Sequence, residues 1–399
     1  MLYKDQKIFK ELKLNCNYLI KIFDDRVCEF FSTLSKNIMQ EKNSLNYPEL
    51  ISFAFDMRSK NIKLKKKKYE KENNFFRYPV GKVIHFTPKN APINFLYSLF
   101  FGLITGNRNI IKLPSQKFDQ VQIILKLISK ILKYKKFNFL KNFIFFIMYN
   151  KNNVQLTEKL ILNSDLKIIW GGDQSIYDLR KYKSLPRTSE YTFADRYSLC
   201  LINYKIFKNL NSTKVKDLVK KFYKDSYTFG QNACNSPHLV IWIGKDIDSK
   251  IIEKFWQNLS CYANQNEKDI DSIVYDKFSK VCSDVINFAN ISDYKIFGKN
   301  LSVISLKNLD KNILSKKGKW GYFYQYKNTS LNIIKKIDSK KIQTITYFGF
   351  KNKEFKNIFN KIFYNGIDRI VPIGRSFEME NIWDGKNFYD VFTRIIDIK

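Results

Sequence analysis

Between residues 82 and 114 the chain reads strand, helix, strand, a unit of about thirty residues that constrains the fold more than any other stretch. "KVIHFT" (82–87) is strand-like, "PKNAPINFLYSLFFGLITGN" (88–107) turns helical, and "NIIKLP" (109–114) is strand-like again. Pro92 suits the first turn of that helix, and Gly106 suits the left-handed residue after its end. Two strands joined by such a crossover lie parallel in one sheet.

The alternation continues. Phe118, Val121, Ile124, Leu125, Ile128, Ile131 and Leu132 form a helical stripe within residues 115–133. "NFIFFIMY" (142–149) reads as a buried strand, followed by a helix near 153–162 and by "KIIW" (167–170), which runs into "GGD". A further helix and the strand "YSLCLI" (197–202) are expected to close this doubly wound α/β region. Ligands of such a region sit beyond the carboxyl ends of its strands. A second α/β unit begins with a helix at 212–225. The first seventy residues have helical spacing, broken by Pro48 into at least two helices, and carry no visible chemistry. "KLKKKKYEKE" (Lys63–Glu72) reads as a solvated linker or a helix end.

Composition narrows the function classes. The 399 residues suffice for two domains with separate cores, and 44% hydrophobic with 16% aromatic residues marks a globular chain. A formal charge of +33 raises a nucleic acid or an anionic membrane as partner. Yet the lysines are scattered through amphipathic segments, and no zinc-ligand spacing or RNA-binding aromatic motif accompanies them. An excess of Asn, Ile, Phe and Tyr fits an AT-rich coding bias instead. Cysteines 16, 28, 200, 234, 261 and 282 lack paired spacing and read as reduced, cytosolic thiols. The amino terminus has no apolar signal core. The longest apolar stretch, Ile93–Ile104, is interrupted by Asn94 and Ser98 and is shorter than the roughly 18 residues of a membrane span. A cytoplasmic protein is expected.

Chemistry concentrates in "TFGQNACNSPHLVIWIG" (228–244). A free cysteine is usually a small buried residue. Cys234, however, sits among Gly230, Gln231, Asn232, Asn235, Ser236 and Pro237, a polar, turn-forming setting that can stabilise a thiolate. Such a thiolate attacks an activated carbonyl and forms an acyl-enzyme. Cys16, Cys28, Cys200, Cys261 and Cys282 lie in apolar periodic segments and lack this setting. Asn90 either caps the following helix or donates its amide to an oxyanion. Gly171 and Gly172 allow a cofactor phosphate close to backbone, although the full G-x-G-x-x-G pattern is missing. Lys112, at a strand's carboxyl end, suits a ribose or a phosphate. His85 and His238, the two histidines, are candidates for a base but read more simply as strand-end residues bonded to backbone. No metal-ligand cluster is evident.

Taken together, "HFTPKNAPINFLYSLFFGLITGNRNIIKLPS" (85–115) resembles the P-x-N-x-P … G-L-x-x-G-N-x-x-I-x-K-x-P-S block of the aldehyde dehydrogenase superfamily, and more closely that of the LuxC-type bacterial acyl-CoA reductases. "GQNACNSPH" (230–238) resembles their nucleophile loop. "GIDRIVPIGRSFEMENIWDG" (366–385) resembles a C-terminal signature of the reductases that ordinary aldehyde dehydrogenases lack. The matches run in family order from about residue 75 to 390.

The resemblance implies an aldehyde-dehydrogenase-like α/β fold, with a Rossmann-like cofactor domain and an α/β catalytic domain. The expected division is an N-terminal helical segment (1–70), the cofactor domain (71–205), the catalytic domain (206–365) and a C-terminal segment (366–399) returning to the cofactor domain or a subunit interface. It also implies reduction of an activated acyl group to an aldehyde, with NADPH as hydride donor and NADH as the alternative. Cys234 falls on the nucleophile, Asn90 on the oxyanion asparagine, Lys112 on the cofactor-ribose lysine and Gly171-Gly172 on the loop facing the cofactor. "INFLYSLFFG" (93–102) either lines an acyl channel or is the core face of its helix. The expected partners are acyl-CoA or another activated acyl group, an acyl-protein synthetase and further copies of the chain.

Two departures matter. In hydrolytic aldehyde dehydrogenases a glutamate in an E-L-G-G-K-S-P segment activates the deacylating water. The corresponding stretch here is "FADRYSL" (193–199), with Phe193 in the glutamate's place and Glu190 three residues earlier. A reductase must shield its acyl-cysteine from water, so the loss is chemically consistent. The E-x-F-G-P segment that holds the nicotinamide ribose is also missing. The alternatives to acyl reduction are a basic nucleic-acid- or membrane-binding protein and an aldehyde dehydrogenase working oxidatively.

Overall fold

The computed structural model describes residues 2–3, 19–72, 74–89, 91–267 and 270–399. The chain divides into two compact units, one comprising Met1–Asp195 with Met379–Lys399 and the other Arg196–Glu378. The crossing at 195/196 moves one expected boundary. Strand β8, Tyr197–Asn203, does not close the first sheet; it pairs in parallel with two strands of the second. Its run of six buried residues fits a central strand covered on both faces, and periodicity alone does not say in which sheet such a strand lies.

In the first unit, strands β1 (Leu2–Tyr3), β3 (Lys82–Phe86), β4 (Arg108–Lys112), β5 (Ile144–Ile147), β6 (Leu166–Trp170) and β7 (Ser189–Phe193) form a parallel sheet. Its order is β1-β5-β4-β3-β6-β7. The polar sequence of β7, "SEYTF", gives no buried-strand signal, and it lies at the sheet's edge. Helices α1 (Asp25–Gln40), α2 (Pro48–Asp56) and α3 (Ser59–Glu72) lie between β1 and β3 in the chain. Pro48 starts α2 at its first turn, where the missing N–H costs nothing. Residues 63–72 thus lie inside α3. The helices belong to the first unit's core, with the Phe31 and Phe100 rings 4.9 Å apart edge to face.

Helix α4 spans Phe95–Ile104, so Pro92 lies in the turn before it, where Asn94 N bonds Ala91 O. Gly106 has φ +88, and a Cβ there would meet the Ile20 carbonyl at 2.3 Å. Nearly all of α4 is buried, including Phe95, Leu96, Leu99, Phe100 and Phe101, so the aromatic run is core. Helices α5 (Asp119–Ile131), α6 (Val154–Leu162) and α7 (Asp173–Arg180) complete the crossovers.

The second unit is built on a seven-stranded sheet ordered β10-β11-β12-β9-β8-β13-β14. After helix α8 (Ser212–Tyr227) come β9 (Pro237–Ile243), helices α9 (Ser249–Asn266) and α10 (Asp271–Asn287), and strands β10 (Ile291–Ile296), β11 (Ser302–Leu306), β12 (Tyr322–Asn328), β13 (Ile342–Phe348) and β14 (Arg369–Pro372). Only the edge strand β10 is antiparallel. Leu199, Leu201, Leu239 and Ile241 pack on one face; Cys200, Ile202, Val240 and Trp242 pack on the other. From Met379 the chain rejoins the first unit, where Thr393–Ile396 pairs antiparallel with strand β2 (Phe76–Pro79). The segment 366–378 therefore stays with the second unit, and the return begins at Met379 rather than at 366.

Among the described residues, no helix is long and apolar enough to cross a membrane.

Candidate active site

The first sheet brings three candidates to one edge. Reading outward from β3, the chain fills one side with β4 and β5, then crosses to place β6 on the other side. The order reverses between β3 and β6, which is where doubly wound sheets open a crevice at their carboxyl ends. Phe86 pairs in register with Lys112 on one neighbour and Ile169 on the other. The Lys112 side chain therefore lies at the same end as the Gly171-Gly172 turn that follows β6.

Lys112 is half-buried, with its amine 5.4 Å from the centre of the Tyr149 ring. Burial first, and Lys89 second, hold its pKa below the usual lysine value. Gly172 has φ −67, which any residue adopts, and a Cβ there would meet nothing within 4 Å. Neither conformation nor packing requires this glycine; it keeps space open before α7. Asn90 lies outside the described residues.

Cys234 belongs to the second unit. It sits in the loop from α8 to β9, three residues before the strand starts, and is half-buried without a disulfide. Gly230 and Gln231 both take positive φ, +56 and +63. At Gly230 a Cβ would collide with Trp320 Nε1 at 2.7 Å. Gln231 is fully buried and saturated. Its amide nitrogen donates to Pro237 O (3.1 Å) and Tyr322 O (2.9 Å), and its oxygen accepts from Gly321 N (3.1 Å) and Tyr322 N (3.0 Å). Beyond the cysteine, Ser236 N closes a turn on Ala233 O, and Ser198 Oγ donates to the Cys234 carbonyl at 2.6 Å. Asn235 Nδ2 donates to Ser376 O at 2.6 Å.

The acyl-CoA reductase (LuxC) family matches residues 53–395. The chain belongs to this family. It is an acyl-CoA reductase, an oxidoreductase that takes an activated acyl group to an aldehyde. The family accounts for the motifs around Asn90 and Cys234 and at 366–385, which a nucleic-acid- or membrane-binding reading of the charge leaves unexplained. No curated protein sequence matches the chain.

Among solved structures, the reductase shares the aldehyde dehydrogenase fold. Substrate-bound AldH of Staphylococcus aureus is 14% identical, with TM-score 0.65 over 97% of this chain and 92% of that one. Glyceraldehyde-3-phosphate dehydrogenase GapN of Methanocaldococcus jannaschii, solved with NADP, is 15% identical, with TM-score 0.62 over 93% and 88%. Aldehyde dehydrogenase 21 of Physcomitrella patens, solved with succinate, is 10% identical, with TM-score 0.62 over 92% and 85%.

The reductase's histidines are structural. His85 is fully buried, with Nδ1 2.5 Å from Ser98 Oγ and Nε2 3.0 Å from Asn109 Oδ1, so its partners are side chains rather than backbone. His238 is buried as the second residue of β9, its ring 5.4 Å from that of Tyr197. Burial lowers their pKa values to about 4 and about 3. Phe193 is buried and stacked on Trp170 at 3.9 Å. Glu190 pairs with Lys167 (2.8 Å) and Arg180 (2.7 Å); burial pushes its pKa up, but the two cations outweigh this and hold it below the usual value.

The remaining cysteines divide. Cys200 is buried, and Cys28 is half-buried with its pKa raised by burial to about 11. Cys261 and Cys282 do lie within periodic helices, α9 and α10, but at exposed positions, since an amphipathic helix turns part of its surface to water. Cys16 lies outside the described residues. No group of metal-ligating side chains exists among the described residues.

Sequence reasoning missed Asp225, Gln231 as the loop's anchor, and Ser376 and Arg369 around the C-terminal signature. The polar, turn-forming run beside Cys234 was the signal the sequence offered.

Proposed function

We propose that the chain reduces an acyl-CoA thioester with NADPH, through an acyl group carried on Cys234. The observation that supports this reading is the loop around Cys234, which is held in one conformation by a buried glutamine and two left-handed residues in a chain of the acyl-CoA reductase family.

The Cys234 thiolate attacks the thioester carbonyl carbon, and the C–S bond to coenzyme A breaks, leaving an acyl-cysteine and the coenzyme thiolate. Asn90 and the Cys234 N–H are assigned to the oxyanion; removing one such donor costs ~10²–10³ in turnover. NADPH, when bound, supplies the hydride that reduces the acyl carbon. The oxyanion then expels the Cys234 sulfur as thiolate and the aldehyde leaves.

The first sheet's carboxyl edge fits a dinucleotide. Lys112 offers a cation to a ribose or phosphate, and Gly172 leaves room for a ligand against backbone. Solved relatives carry NADP or NAD+, which supports a nicotinamide cofactor; the preference for NADPH over NADH comes from the family resemblance. Phe193 and the ion-paired Glu190 leave neither position with a carboxylate suited to activating water, which favours reduction over oxidation. An acyl-protein synthetase as supplier, a homo-oligomer and a cytoplasmic location belong to the same reading.

The test is peptide mapping after incubation with an acyl-CoA panel without nicotinamide. An acyl adduct on Cys234 that NADPH discharges as aldehyde is expected, and Cys234→Ala should form neither. Aldehyde production by Cys234→Ala would overturn the scheme.

A further inference from the structure

The C-terminal signature holds the nucleophile loop through a buried carboxylate. Asp225, in the last turn of α8, is fully buried. It accepts from Gly374 N (2.6 Å), Ser376 N (3.1 Å) and Ser376 Oγ (2.8 Å). The Ser376 carbonyl in turn accepts from Asn235 Nδ2 (2.6 Å) and Arg369 Nη1 (2.7 Å). Asn235 is the covalent neighbour of Cys234. One chain of contacts therefore runs from Asp225 through Ser376 and Asn235 to the cysteine.

The segment is fixed from other sides as well. Arg369 Nη2 donates to the carbonyls of Arg375 (3.2 Å) and Glu378 (3.0 Å). Gly374 has φ +94, and a Cβ there would press on Lys221 Cβ of α8 at 2.9 Å. The Phe377 ring lies 4.9 Å from that of Phe229, at the start of the nucleophile loop. A buried carboxylate is a costly way to hold a loop, and its gain is directional geometry rather than stability. Burial shows that cost, raising the Asp225 pKa to about 6 despite the three donors.

We infer that Asp225 is a positioning residue for Cys234, acting through Ser376 and Asn235. The inference rests on the reading of Cys234 as nucleophile. A misplacement of the reacting atom by about 1 Å can cost ~10²-fold in rate, so a clamp two contacts away acts on turnover more than on substrate binding.

The test uses Asp225→Asn, which keeps the shape but turns an amide N–H₂ toward these donors, and Ser376→Ala, which removes a single donor. The readouts are kcat, KM and the iodoacetamide alkylation rate of Cys234, with exposed Cys261 and Cys282 as internal references. In Asp225→Asn, kcat should fall ~10–100-fold with KM within about twofold. Cys234 alkylation should change while the reference thiols do not. Ser376→Ala should move the same readouts less, and should add nothing in the Asp225→Asn background. Should Asp225→Asn fail to fold, Ser376→Ala decides. Native kcat and native alkylation in the folded variants would overturn the inference. An inactive Cys234→Ala beside a native Asp225→Asn would overturn the positioning role alone; an active Cys234→Ala would remove the nucleophile reading beneath it.

Discussion

Gln231 and Tyr322 are joined twice: the glutamine amide donates to the Tyr322 carbonyl at 2.9 Å, and its oxygen accepts from the Tyr322 N–H at 3.0 Å. The side chain thus mimics a strand partner at the start of β12 and pins the nucleophile loop to the sheet.

Replacing Gln231 with alanine should destabilise the protein strongly. Four buried backbone groups would lose their partner, each orphan costs ~1–3 kcal/mol, and entering water recovers part of this, so a net loss of about 3–5 kcal/mol is expected. The left-handed backbone stays strained in either residue. Chemical denaturation followed in the second unit checks the value; a loss below about 1 kcal/mol would mean that the loop is held elsewhere.

Much of this architecture was legible from periodicity and punctuation. The apolar stripe of α5, the glycine after α4 and the strand runs at 82–87 and 167–170 follow from local rules that tertiary context here did not override. Strand β8 was visible as a strand but not as a member of the second sheet, because a continuous apolar run carries no address. The polar edge strand β7 was invisible for the opposite reason. At the site, a cysteine in a polar turn drew attention to Cys234, whereas Asp225 is separated from Ser376 by 150 residues of sequence that no pattern bridges.

Gly172 and Lys112 separate cofactor binding from stability. Gly172→Ala meets no steric or conformational obstacle, so its effect on unfolding should stay within ~0.5 kcal/mol. NADPH affinity should nevertheless fall, and Lys112→Ala should weaken it ~10-fold through loss of one charge-assisted contact. Fluorescence titration with NADPH and NADH measures both. Unchanged dissociation constants in the two variants would move the cofactor away from this edge of the sheet.

Glu190→Gln distinguishes a structural carboxylate from a water-activating base. The variant leaves Lys167, which is almost buried, without its carboxylate partner, and stability should fall by roughly 1–3 kcal/mol. The lifetime of the acyl adduct on Cys234 in the absence of NADPH should not change. A tenfold longer lifetime would identify Glu190 as the base of an oxidising enzyme and favour that direction.

The buried titratable groups set an acid limit on folding. His85 and His238 have native pKa values of about 4 and about 3, whereas an unfolded histidine titrates near 6.5. Below pH ~6.5 the unfolded chain binds two protons that the native state refuses, so stability is present above that pH and is lost as the pH falls toward the native values. Asp225 acts in the opposite sense. Its native pKa of about 6 lies above the unfolded value near 4, so from pH ~6 down to ~4 the native state takes up a proton first and offsets one histidine. From these three groups the slope between pH ~6 and ~5 is then close to one proton, ~1.4 kcal/mol per pH unit. Denaturation midpoints across pH 4–7 test this. His85→Gln, which keeps a polar group between Ser98 and Asn109 but cannot titrate, should flatten the slope by about one proton. An unchanged slope in that variant would show that His85 titrates normally and is not sealed in the core.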